Sequence, residues 1–193
     1  MRNTVLVWLV LCATDVWAQD TKIEEIGKSP VEVSFSAGGR IRMDLCSSGI
    51  DVVGKDEGKV RVSYDTGRSD VKVRIQVTGD TADLAVSRCP RNDFRLTIEV
   101  PKTSALRARM FAGQLNVDGV TGDKDLQLDF GQMNLDIGKA EDYAKVTASV
   151  NSGDLEARPF HVSKGGLFRS FEQKGPGKYR LHAHVGAGQL EMN

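Results

Sequence analysis

The sequence predicts an all-β protein of repetitive stacked strands, arranged as a β-solenoid or β-helix. An antiparallel β-sandwich or meander is the alternative, because both arrangements share the same periodicity. Three observations carry the prediction. First, a short phrase returns: Gly113-Gln114-Leu115-Asn116-Val117-Asp118 reappears as Gly131-Gln132-Met133-Asn134-Leu135-Asp136. Weaker copies are Gly153-Asp154-Leu155-Glu156-Ala157 and Gly188-Gln189-Leu190-Glu191-Met192. Second, polar and apolar residues alternate elsewhere too, which gives a strand one buried face. Third, no segment shows helical periodicity.

The elements follow in order. Residues 1–18 read as a secretory signal peptide, with Arg2 as a positive lead, an apolar run from Val5 to Ala13, and Ala18 before the cut. That run is too short to span a bilayer, which takes about 20 residues. Residues 19–29 read as a flexible lead and 30–193 as a single strand-repeat domain. Within it the expected strands are 31–36, 40–46, 50–53, 59–65, 71–78, 82–88 and 93–100, then 104–111, 114–118, 124–130, 132–137, 145–150, 154–158, 166–171, 178–185 and 189–192. Parity assigns their inward sides. Ile41, Met43 and Leu45 form one set, Val60, Val62 and Tyr64 a second, Val71, Val73, Ile75 and Val77 a third, and Phe94, Leu96, Ile98 and Val100 a fourth. Charged turns such as Gly54-Lys55-Asp56-Glu57-Gly58 separate the earlier strands. The four repeat glycines are 18, 22 and 35 residues apart, and the first two spacings fit a coil of two short strands.

Composition narrows the function. The net charge is zero, whereas a nucleic-acid protein carries a basic excess. Cutting after Ala18 removes both tryptophans, Trp8 and Trp17, and leaves Cys46 and Cys89. An exported chain meets an oxidising compartment, so this pair is expected to bond; two thiols too far apart to meet are the alternative.

Few residue sets suggest chemistry. His182 and His184 share a strand face, but no third ligand stands near them in sequence, and His161 lies in another segment. Lys178, Arg180, His182 and His184 form a row of cations on one face, a candidate site for phosphate or uronate polymers. Arg107 and Arg109 make a second basic pair. The Gly54–Gly58 turn has the wrong spacing for a phosphate loop. Asp118, Asp123, Asp125, Asp129 and Asp136 lack the repeat of calcium-binding rolls. No catalytic residue, cofactor or metal site is expected. The last strand, ending at Asn193 with no polar cap behind it, is expected to be an open edge available for self-association; a place inside the sheet, paired on both sides by earlier strands, is the alternative.

Three segments resemble a bacterial "putative adhesin" domain family of unknown function with β-strand repeats. They are Ser47-Ser48-Gly49-Ile50-Asp51-Val52-Val53-Gly54 with Lys59-Val60-Arg61-Val62, then Leu96-Thr97-Ile98-Glu99-Val100-Pro101, then the train of glycine-led rungs. The resemblance covers roughly residues 30–193 and implies an exported, solenoid-like β protein. It points to a non-catalytic, adhesin-like binding or scaffold module in the periplasm or at the cell surface, whose partner is an envelope or surface polymer or protein. An envelope-stress sensing or regulatory module is the alternative, and a sugar-active β-solenoid enzyme a third.

Overall fold

A computed structural model describes residues 20–65, 70–90 and 94–193; the segment read as a signal peptide lies outside the described residues. The fold is all-β. Its early strands are β1 (Thr21–Ile26), β2 (Val31–Ser34), β3 (Arg40–Leu45), β4 (Ser48–Lys55), β5 (Lys59–Tyr64), β6 (Lys72–Thr78), β7 (Thr81–Ser87) and β8 (Arg95–Pro101). Long strands follow: β9 (Ala105–Asp118), β10 (Lys124–Leu135), β11 (Tyr143–Ala157), β12 (Val162–Lys174) and β13 (Tyr179–Met192). Among the described residues the remaining regular structure is two single 3-10 turns, Ala140–Asp142 and Arg158–Phe160.

Among the described residues, hydrogen bonding links all 13 strands into one sheet. The long strands are bent in the middle, so the sheet has two layers. One layer runs β1-β6-β7-β3 and then through the first arms of β9, β10, β13, β11 and the second arm of β12. The other runs β2-β5-β8-β4 and then through the opposite arms of the same five strands. The apolar residues of both layers form one core cluster.

The bend explains why the expected strands came out broken. In β9 the buried residues are Leu106, Ala108 and Met110, then Leu115 and Val117. Alternation holds along each arm and is offset at the corner. The same offset separates Leu128 from Met133, Val150 from Leu155, and Val185 from Leu190. Each corner holds one of the repeat glycines, and these stack in register as Gly113, Gly131, Gly188 and Gly153. Gly131 has φ 130° and its missing Cβ would strike the carbonyl of Gly113, so backbone packs directly on backbone there. The leading glycine of the phrase therefore turns the rung's corner within a continuous strand.

Strand direction is parallel through the centre of the stack: β3 with β7 and β9, β4 with β8 and β9, and β9, β10, β13 and β11 in succession. Antiparallel pairs close both ends, β1–β6–β7 and β2–β5–β8 at one and β11–β12 at the other. Stacked bent coils are thus the observed form of the expected solenoid-like fold.

Two expectations are corrected. The stretch 19–29 contains strand β1, whose Ile23 packs against the core and whose Glu24 pairs with Lys72 at 2.8 Å. The last strand is no open edge: Gln189 to Met192 pair with Gln132 to Leu135 on one side and Asp154 to Ala157 on the other. β13 fills the gap between β10 and β11, a placement that strand parity cannot reveal. The array ends instead at β12. There Lys164 Nζ donates to the Ser170 carbonyl at 2.8 Å and Arg169 Nε to the Gly165 carbonyl at 2.8 Å, each reaching from one arm to the other. Both residues pair with strand positions that are apolar in β11, Leu155 and Val150. Charges in such positions cap a repeat array and discourage a further strand.

Cys46 and Cys89 are bonded, with a Cα–Cα distance of 5.9 Å. They join the β3–β4 corner to the β7–β8 corner, and among the described residues of these corners no stacked glycine turns the chain.

A candidate anion-binding trough

The first-layer strands place alternate side chains outward, and across β3 to β11 many of these are basic. Register sets Arg42 of β3 directly opposite Arg107 of β9, and Asp44 opposite Arg109. Like charges directly opposite across a strand pair are destabilising. Carboxylates on the outer flanks offset part of that cost: Asp83 lies 3.7 Å from Arg42, and Asp125 lies 3.3 Å from Arg107. Asp125 also holds His182 Nδ1 at 3.0 Å.

Small residues hollow the surface between these long side chains. Ala105 sits beside Arg40 in register and floors a depression of about 520 Å³, rimmed by Arg40, Arg42, Arg107, Lys145 and Arg180. Ala85 opens a second, of about 280 Å³, which shares Arg42 and Arg107 with the first. A third, of about 420 Å³, shares Arg74 and Arg109 with the second and ends at Phe111. The three adjoin as one trough. Among the described residues, Arg40, Arg109 and Arg180 have no side-chain carboxylate partner within 4 Å.

At the trough's end Phe111 and Phe130 stand on the stacked corners, 62% and 51% exposed, with ring centroids 5.4 Å apart. A pair of exposed phenyl rings on a rigid corner is an unspent apolar surface, since ring burial is a large favourable term.

The candidate row from the sequence divides. Arg180 lies in the trough and His182 on its rim. His184 is held by the Ser149 hydroxyl at 2.8 Å. Lys178 precedes β13, with its ammonium 4.8 Å from the Tyr179 ring centre. Arg107 joins Arg180 in one depression across two strands, a juxtaposition made by the insertion of β13 beside β10, while Arg109 lies farther along, in the second and third depressions. Sequence reasoning missed Arg40, Arg42 and Lys145. Their outward parity was readable, but the strand order that gathers them was not.

The aspartates scatter. Asp125 and Asp129 belong to the trough's layer. Asp118 and Asp136 stack on the other layer, where the hydrogen bond between them, with desolvation and mutual repulsion, holds the Asp118 carboxyl above its usual range. The asparagines of the repeated phrase also stack: Asn134 donates to Asn116 at 2.8 Å, and Asn116 donates to Asp51 at 2.5 Å. Among the described residues no group of three or more His, Cys, Asp or Glu is placed to hold a metal ion.

Among the described residues one charged side chain is buried. Lys124 occupies an inward position between Leu106 and Leu181, only 2% exposed. Its ammonium donates to the Tyr143 hydroxyl at 2.7 Å and to the Gly122 carbonyl at 3.2 Å. Burial lowers its pKa to about 8, against the opposing pull of Asp123 and Asp136. Burial also raises the pKa of Tyr143, whose hydroxyl donates to the Ile137 carbonyl at 3.2 Å.

No protein-family model and no curated protein matches this chain. Two solved structures are similar to it. One is a "putative cell adhesion protein" from Clostridium sporogenes ATCC 15579, 12% identical, with a TM-score of 0.48 over 91% of this chain and 100% of that one. The other is a "putative adhesin" from Bacteroides fragilis NCTC 9343, 10% identical, with a TM-score of 0.35 over 86% of this chain and 98% of that one. Among the described residues no helix is long and apolar enough to cross a membrane.

Proposed function

We propose that this protein is an exported, non-catalytic binding module of the bacterial cell envelope, adhesin-like in the sense that a rigid β-stack presents a recognition face. The observation that carries this reading is the trough. It is built on regular strands, which hold side chains more firmly than loops do, and its cations outnumber its carboxylates. A bonded cysteine pair fits an oxidising compartment. The segment 1–18 has the grammar of an export signal.

Fractionation tests the reading. The protein is expected in the exported fraction, beginning at Gln19, and therefore without tryptophan emission. It is expected to co-sediment with isolated envelopes and to be released by salt, as electrostatic capture requires. Retention in the cytoplasm with free thiols, or no association with envelopes at any salt concentration, would overturn it.

A further inference from the structure

We infer that the trough seats an acidic polysaccharide, with its anionic groups on the arginines and a sugar face on the Phe111–Phe130 pair. This rests on the reading of the protein as a binding module and names the ligand of that same site.

Three observations converge. The first is length. From Arg74 on β6 to Arg180 on β13 the sheet takes five inter-strand steps, about 24 Å at ordinary strand spacing. A channel of that extent suits a chain-like ligand better than a single small anion. The second is charge placement. Arg42 and Arg107 face each other in register, and a carboxylate, sulfate or phosphate between them would relieve their repulsion and accept from both guanidinium forks. Arg40, Arg109 and Arg180 extend the positive track in both directions without a carboxylate partner of their own. The third is the aromatic end. The trough closes on Phe111, whose ring leans edge-on to Phe130 at an interplanar angle of 68°. The apolar face of a pyranose can lie on such a ring, whereas a plain inorganic polyanion has no use for it.

An anionic membrane is the competing partner and fits less well. Asp44, Asp83 and Asp129 line the same face, and a uniformly negative plane would meet them together with the arginines. A flexible chain lying in the trough can set its charges beside the cations alone.

The test uses the exported protein with four probes: polygalacturonate, inorganic polyphosphate, neutral dextran, and vesicles of anionic phospholipid. Polygalacturonate should bind best, with affinity falling as salt rises. Arg42→Gln with Arg107→Gln should weaken it about tenfold or more, and Arg180→Gln, which disturbs no ion pair, by several-fold. Phe111→Ala should weaken polygalacturonate and leave polyphosphate unchanged. Lys55→Gln, on the opposite layer, should change neither. Circular dichroism and urea midpoints establish that each variant is folded. Equal binding of polyphosphate with no effect of Phe111→Ala overturns the saccharide assignment. So does a preference for vesicles, or an equal loss from Lys55→Gln. Envelope association that persists without polygalacturonate binding sinks this ligand class alone. Loss of both sinks the binding-module reading too.

Discussion

Lys124 shows how one residue can depart from an otherwise uniform pattern. Its neighbours in the same inward row are Leu106 and Leu181, yet it keeps a charged side chain that burial penalises. The pKa of about 8 in the fold lies below the usual lysine value, so the unfolded chain binds the extra proton between those limits. This group therefore adds stability as pH rises through that window, up to about 3 kcal/mol for a shift of that size. Tyr143 acts in the opposite sense. Its raised pKa keeps it protonated in the fold, so its contribution is lost once unfolded tyrosine ionises near pH 10. Lys124→Met should raise stability at pH 7 by about 1–3 kcal/mol, since Tyr143 keeps its bond to Ile137. It should also flatten the rise between pH 8 and 10. Urea unfolding at several pH values would check both, and an unchanged slope would refute the assignment. The parity of Lys124 with Leu126 and Leu128 was visible in the sequence, but its partner Tyr143 lies in a separate strand.

Among the elements, β13 and β12 exchange the roles that their sequence positions suggest. β13 is a central strand, hydrogen-bonded on both sides along its length. Gln189→Pro removes a ladder donor where proline is not tolerated, so it should destabilise the fold by about 3 kcal/mol or more. A urea midpoint equal to wild type would mean that β13 is not paired as described. β12 is the cap, almost wholly exposed, and its crossing Lys164 and Arg169 bonds guard the open edge. Replacing both by valine should leave an apolar edge and promote self-association, read as concentration-dependent mass in light scattering. A variant that matches the wild-type mass at every concentration would show that these charges do not guard the edge. The glycine-led phrase announced a stack of similar rungs. The offset of alternation at each corner was also present in the residues, but it looked like a break between strands because a turn and a bent strand both call for glycine.

For the molecule as a whole, the bond between Cys46 and Cys89 ties two rung corners across a sequence separation of 43 residues. In the chain-entropy model, closing such a loop contributes about 4 kcal/mol. Reduction should therefore lower the unfolding free energy by an amount of that order, and the midpoint with it, without abolishing the β spectrum, because the core cluster spans both layers independently of the bond. A midpoint unchanged by reductant would show that the unfolded chain is already constrained there. The trough's arginines come from four separated stretches of chain, β3, β6, β9 and β13, and no local spacing relates them.

By itself the sequence determined which residues face inward, because alternation in a strand is a local property of the backbone. The buried sets Ile41, Met43, Leu45 and Leu96, Ile98, Val100 were legible for that reason. It also placed the corner glycines and supplied the cysteine pair. Strand order and direction were decided only by the tertiary structure. A parallel and an antiparallel neighbour satisfy the same alternation, and the choice is made by which distant strand supplies the hydrogen bonds. Once β13 entered between β10 and β11, the open edge moved to β12 and Arg180 came to share a trough with Arg107.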